Sequence, residues 1–470
     1  MEQDNIELVW LPDLVYTGGR FESGLAIACD GAGRIRRIGK ASEVEGSALR
    51  LKGRAALPGL VNAHSHAFQR VIRGRTEYRT GNGSDDFWTW REMMYSAATR
   101  LSPEDLYDAS RMTFLEMTLG GITAVGEFHY IHHAPEGKPY DDPNLLSKTV
   151  IAAARDVGLK ICLLRVAYAR SGFNAEPNPK QARFIELDPE SFLEHAELLK
   201  AWADKEEAGG AWVGLAPHSV RAVPLNYLRD CFLYAERGEY PVHMHIAEQP
   251  AEIEACLKEH GLPPVALLER EGFLSGRFTG VHGIHITGAE ARMLSRNRSI
   301  VCACPTTERN LGDGAIPAEL LFKEGVRVSL GTDSHTQIEM MEDARELEYN
   351  MRLSKLERVV LDRTNDAPSA LASSLFDCAT RHGAESIKVP GSDGTLAPGQ
   401  AADFFTVDLH HPSIAGASGD DLLAHIIFSL QPAAVREVVV GGRMIVEGGR
   451  HRAQQEITER FIALQKRLWS

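Results

Sequence analysis

From about residue 57 to 390, eight short apolar runs alternate with amphipathic helical stretches, and this alternation narrows the fold more than any other feature of the chain. The runs fall at residues 56–63, 123–127, 160–165, 212–217, 240–246, 279–282, 299–302 and 326–331. Short strands separated by helices pack as parallel βαβ units. Eight of them are what a (β/α)8 barrel requires. Helical periodicity is clear in the intervening residues 190–202 and 340–351.

Outside this region the texture changes. Residues 6–11 and 25–29 read as short strands broken by Gly-rich turns, and residues 391–407 and 435–446 return to β and turn. The prediction is an α/β protein: a TIM barrel over residues 57–390 and a small β-sandwich domain built from both chain ends. That domain would comprise residues 1–56 plus 391–470 and include a C-terminal helix. No repeat at a solenoid period and no low-complexity linker interrupts the pattern.

With 44% hydrophobic and 24% charged residues in 470, the chain can bury a large core. The formal charge of -13 argues against nucleic acid or an anionic membrane surface as the main partner, since both favour a basic face. Any anionic ligand must meet locally placed arginines. No run of 18 apolar residues occurs, and residues 1–6 lack the basic-then-apolar layout of a secretory signal, so a cytoplasmic location is expected. The seven cysteines form neither a paired framework nor a CxxC knuckle. Cys302 and Cys304 alternate in a short apolar run and read as small strand side chains.

Six polar residues sit at the ends of these runs: His64 and His66, His245 and Glu248, His282, and Asp333. An HxH on a strand sends both imidazoles to one side, so His64 and His66 can grip one ion. Taken alone, such a pair is as readily two structural histidines, and Glu248 alone reads as a surface acid. Their joint placement is what points to a metal-dependent hydrolase: three imidazoles and a carboxylate can fill the protein side of a catalytic zinc site, with two groups left to move protons. Nitrogen and oxygen ligands without cysteine suit Zn2+, with Fe2+ or Mn2+ able to replace it.

Over nearly its whole length the chain resembles the amidohydrolase superfamily. The resemblance is carried by residues 58–66, by His245 with Glu248, by His282, by residues 331–333 and by the turn at 399–403. Members with two metals place a lysine or glutamate at the end of the fourth strand; here that strand ends in Pro217-His218, which implies one metal and a deaminase-like site. The resemblance further implies that His64, His66, His245 and Asp333 bind the metal, that Asp333 takes the water proton, that Glu248 protonates the leaving nitrogen and that His282 orients the nucleophile.

The strings at residues 67–70, 87–95, 127–133 and 216–221 are similar to those of deiminases that act on linear amidines, and they imply a dianionic amidine, N-formimino-L-glutamate, hydrolysed to N-formyl-L-glutamate and ammonia. Gln69, Arg91, Tyr130, His218 and Arg221 would then surround the substrate from loops after the first, second and fourth strands. The planar fork of arginine grips a carboxylate at any working pH. Trp88 and Trp90 are expected to pack a lid, and His132 and His133 to shape a loop. A homodimer is expected. Two other readings stay open: a deaminase of guanine or a related heterocycle, and a barrel kept only as a scaffold.

Overall fold

The computed structural model describes residues 7–44, 47–80, 85–173, 175, 178–205, 210–362 and 367–470. The amino-terminal segment read for a signal, and the start of the strand expected at residue 6, lie outside the described residues.

The eight predicted runs form one eight-stranded parallel sheet, in chain order: Leu60–Ser65, Ile122–His129, Lys160–Ala167, Ala211–Pro217, Val242–Ile246, Phe278–His282, Ile300–Ala303 and Arg327–Leu330. Side chains of the second strand are buried along its full length, as expected of a parallel sheet covered on both faces. That is why these strands read as unbroken apolar runs rather than alternating ones. Past the last strand, Asp333 bridges to Ser65 in parallel register and brings the eighth strand back to the first.

The run at residues 56–63 is not one strand, as expected, but two. Ser47–Pro58 belongs to the smaller sheet and Leu60–Ser65 to the barrel, with Gly59 between them. A Cβ at Gly59 would lie 2.2 Å from Thr123 Oγ1, so only glycine allows the chain to pass between the two sheets.

The smaller sheet draws on both ends of the chain. Hydrogen bonding runs through Arg450–His451, Arg443–Glu447, Val435–Val440, Phe404–Asp408, Ser47–Pro58, Leu8–Thr17, Leu25–Cys29 and Ile35–Lys40, with Arg20–Ser23 paired to Leu8–Thr17. Trp10, Ile27, Ile35, Phe404 and Val439 close a small core of their own. The C-terminal helix Gln454–Trp469 buries Ile457, Phe461, Leu464 and Leu468 along one stripe. It docks on the barrel helix Pro103–Leu119, where Arg460 pairs with Asp108 at 2.7 Å and Arg111 with Glu456 at 2.7 Å. No described helix is long and apolar enough to cross a membrane.

Candidate active site

The residues singled out in the sequence gather at the carboxyl ends of the barrel strands, where loops from eight strands can face one another. His64 lies near the end of the first strand and His66 just past it; His245 is near the end of the fifth, and His282 is the last residue of the sixth. Glu248 follows the fifth strand and Asp333 the eighth. His282 (φ 71°) and Asp333 (φ 46°) both hold left-handed backbone, a conformation that non-glycine side chains keep only where the surroundings impose it.

Four ring and carboxylate atoms converge on one point. His64 Nε2 lies 3.1 Å from His66 Nε2 and 3.2 Å from His245 Nε2. Asp333 Oδ1 is 3.4 Å from His64 Nε2 and 3.2 Å from His66 Nε2. The outer nitrogens fix the tautomers: His66 Nδ1 donates to the Phe128 carbonyl at 2.9 Å and His245 Nδ1 to the His218 carbonyl at 3.2 Å. Their Nε2 lone pairs then point at each other, an arrangement that hydrogen bonds cannot satisfy and a cation can. Metal–nitrogen bonds of about 2.0–2.1 Å in tetrahedral geometry place the ligand atoms about 3.3 Å apart, so this donor set fits a divalent ion. Burial lowers the His64 pKa to about 3 and holds that of His245 well below its usual value. Both rings are therefore neutral and able to ligate at neutral pH.

The Ser65 side chain between the two ligand histidines is tied down from the opposite side. Its hydroxyl donates to Glu127 Oε2 at 2.5 Å and lies 3.0 Å from His335 Nε2, while Glu127 Oε1 accepts from the Ala67 N–H at 2.8 Å. Asn62 ties the first strand to Thr332, donating to Oγ1 at 2.7 Å and accepting from the Thr332 N–H at 3.0 Å. Burial raises the Glu127 pKa to about 7.

Above the ligand cluster, His282 Nε2 lies 3.6 Å from Glu248 Oε1 and 3.9 Å from Asp333 Oδ2. Burial alone would lower the His282 pKa, but the facing carboxylates of Glu248, Glu308 and Asp333 raise it well above the ordinary value. Burial raises that of Glu248. A protonated imidazole beside a carboxyl poised to hold a proton is the usual equipment for moving protons to and from a reacting group.

A cavity partly open to solvent lies over these groups. Gln69, Arg91, Tyr130, His218 and Arg221 all line it, together with His66, His245, Glu248, His282 and Asp333. His64 is fully buried beneath. Two of these placements differ from expectation. Arg91 sits on the helix Phe87–Ala98 and Gln69 in a 3-10 turn, Ala67–Ile72, rather than on irregular loops. The Asp86 capping box starts the Arg91 helix.

The two guanidinium groups are the cationic wall. Arg91 Nε and Nη1 and Arg221 Nε are buried without a hydrogen-bond partner, and neither arginine has a carboxylate partner among the described residues. Arg91 instead lies 4.4 Å above the Trp88 ring and Arg221 5.6 Å from it. Trp90 lines the cavity. His132 Nε2 donates to the Val166 carbonyl at 2.8 Å and His133 Nε2 to that of Ile185 at 3.0 Å, holding a loop and not a ligand.

Two cavity residues, Tyr168 and Tyr95, and the buried Glu308 behind His282 were not among the site residues expected from the sequence. Tyr168 follows the third strand, and its hydroxyl accepts from Gln181 Nε2 at 2.8 Å; Tyr95, four residues after Arg91, accepts from the same amide at 2.6 Å. Glu308, beyond the seventh strand, lies 3.3 Å from His282 Nδ1. For Tyr168 the available signal was its place just past a barrel strand; for Tyr95 it was the i, i+4 spacing from Arg91.

A TIM barrel with a histidine and aspartate metal cluster at its carboxyl face defines a metal-dependent hydrolase. The model of the amidohydrolase family matches residues 55–445, and the chain belongs to that family. It is 39% identical over 411 residues to a formimidoylglutamate deiminase of Pseudomonas aeruginosa, covering 87% of this chain and 88% of that one. An amidohydrolase crystal structure from Brucella melitensis superposes with a TM-score of 0.90 at 32% identity, over 99% of this chain and 100% of that one. An adenosine deaminase from Xanthomonas campestris with bound zinc shares the fold, with a TM-score of 0.81 at 20% identity over 98% of each chain.

Proposed function

We propose that this protein hydrolyses N-formimino-L-glutamate to N-formyl-L-glutamate and ammonia, using one Zn2+ held by His64, His66, His245 and Asp333. The observation that carries the substrate is the pair of buried guanidinium groups, Arg91 and Arg221, which lack a protein carboxylate and line the cavity over the ligand cluster. Each can take a carboxylate through two parallel N–H bonds, and the substrate brings two carboxylates. The 39% identity to a formimidoylglutamate deiminase supports the same reading.

A divalent metal, once bound, supplies a nucleophilic water that ionises near neutral pH. The chain's own groups then have distinct tasks. Asp333 receives the proton lost by the attacking water. Glu248, whose pKa burial raises, passes a proton to the imino nitrogen and so prevents charge from building there. His282 hydrogen-bonds through Nε2 to the attacking oxygen as the amidine carbon becomes tetrahedral, a contact that strengthens in a dry cavity. Gln69, Tyr130 and His218 complete the polar wall around the substrate, with burial and then the Arg221 charge keeping His218 neutral. The hydroxyl proton of the tetrahedral adduct returns to Glu248, the terminal nitrogen takes up the proton held by Asp333, and the C–N bond breaks to release ammonia and N-formyl-L-glutamate.

A heterocycle deaminase would want an aromatic or amide cradle where this cavity presents two unpaired guanidinium groups. The deciding experiment is ammonia release by the zinc-loaded protein from N-formimino-L-glutamate, with guanine and N-formimino-L-aspartate in parallel. Turnover of the glutamate compound above the other two is expected; turnover of guanine instead would overturn the assignment.

A further inference from the structure

We infer that Glu308 is a positioning residue for the reaction: it holds His282 by Nδ1 so that Nε2 faces Glu248 and Asp333. The inference rests on the reading of His282 given above. Glu308 lies in the short helix Pro305–Leu311 that follows the seventh strand, and its side chain folds back under the cavity. Oε1 accepts from the Cys304 N–H at 2.9 Å and lies 3.3 Å from His282 Nδ1. Oε2 has no hydrogen-bond partner among the described residues.

The carboxyl is 1% exposed, and its only ion-pair partner among the described residues is His282. A buried carboxylate with no arginine or lysine beside it is a costly feature that packing alone does not call for. A fixed acceptor at Nδ1 accounts for it. It keeps a proton on that nitrogen, sets the ring plane and leaves Nε2 to the site, where Glu248 Oε1 is 3.6 Å away. A carboxylate behind a working histidine does the same for the imidazole of a hydrolytic triad and for metal-bound histidines. The left-handed backbone of His282 makes the anchor more necessary, because the residue leaves the strand ladder at the point where its ring must be aimed.

The test is a double-mutant cycle between Glu308 and His282 on the zinc-loaded full chain, with metal content measured for every variant. Glu308→Ala is expected to lower kcat by about 10–100-fold while KM for N-formimino-L-glutamate moves less than about 3-fold. Glu308→Gln keeps the acceptor and should recover most of the loss. In a His282→Asn background, Glu308→Ala should cost little further, because groups acting as one unit are non-additive. Equal losses in both backgrounds, or a loss that follows metal content or KM, would overturn the inference. If Glu308→Ala does not fold, Glu308→Ser, which removes the carboxyl but keeps a small polar side chain, takes its place in both backgrounds of the cycle.

A second readout needs no turnover. In 15N-histidine-labelled protein, a hydrogen-bonded imidazole N–H signal that vanishes in His282→Asn should also vanish in Glu308→Ala and survive in Glu308→Gln. Its survival in Glu308→Ala would exclude the contact. An inactive parent with this pattern intact would count against the substrate reading and leave the positioning role standing.

Discussion

Ser65 pairs with Asp333 across the seam where the last strand of the barrel returns to the first. The Asp333 N–H donates to the His64 carbonyl at 3.1 Å, and the His66 N–H donates to the Asp333 carbonyl at 3.1 Å. Closing the barrel and bringing together three of the four residues proposed to hold the metal are therefore the same structural event. A chain that misplaced the eighth strand by one residue would lose both, since a one-residue slip turns side chains to the opposite face.

Gly331 sits at that seam with no room for a side chain. A Cβ there would lie 2.7 Å from His64 Cβ, 2.9 Å from the His64 carbonyl oxygen and 3.1 Å from Cys304 Sγ. Gly331→Ala must push the Asp333 loop away from the first strand, at a cost of about 1–3 kcal/mol. A lower melting temperature together with weaker zinc retention on dialysis is expected; unchanged zinc retention would separate the seam from the ligand cluster.

Removing the metal should be felt in stability as well as activity. Ligands that bind only the folded state stabilise it by mass action, and the convergent Nε2 lone pairs repel one another without a cation. Chelated protein is expected to lose ammonia release and to melt several degrees lower, with both restored by zinc. His66→Ala should bind less zinc and show a smaller melting shift on chelation than the parent.

The cationic wall predicts a split in the kinetic constants. Arg221→Ala and Arg91→Ala each remove a charge-assisted contact of about 1.5–3 kcal/mol, which converts to roughly a 10–150-fold rise in KM. Steady-state ammonia release at graded N-formimino-L-glutamate measures it. A change confined to kcat would place these arginines outside the binding of the carboxylates.

The buried Arg165–Glu186 pair gives a pH signature away from the site. Arg165 grips Glu186 through two nitrogens at 2.5 and 3.0 Å, and His195 Nδ1 lies 2.7 Å from the same carboxylate. Burial alone would raise the Glu186 pKa, but His132, Arg165 and His195 hold it far below the ordinary carboxylate value. A depressed carboxyl stabilises the fold fully above its unfolded pKa of about 4.3, and loses that contribution as pH falls below it. Glu186→Gln leaves Arg165 without its charge partner and should cost about 3–5 kcal/mol at neutral pH. In urea unfolding the gap between parent and variant should narrow as pH drops from 6 towards 3; a constant gap would show that charge is not the cause.

Much of this molecule was legible from local pattern. Eight apolar runs became eight barrel strands because strands buried on both faces need continuous apolar sequence. The spacing of two in His64-Ser-His66 already placed both rings on one side of a strand. The boundary at Gly59 was marked only by the Pro58-Gly59 pair inside a mostly apolar run, and what requires glycine there is Thr123, whose hydroxyl occupies the space a Cβ would need. The run's sequence carries no mark of that neighbour.

Tertiary structure alone decided which groups meet. Arg91 and Arg221 stand 130 residues apart in the chain, yet both approach the Trp88 ring. Glu308 and His282 lie on consecutive strand–helix units and are brought together by the register of the sixth strand against the seventh, with Val281 opposite Cys302. Periodicity depends on residues within a few positions and is therefore written in the sequence. Convergence of a cationic wall, a carboxylate-backed histidine and a ligand cluster depends on closing a ring of eight strands, a long-range constraint that no local window contains.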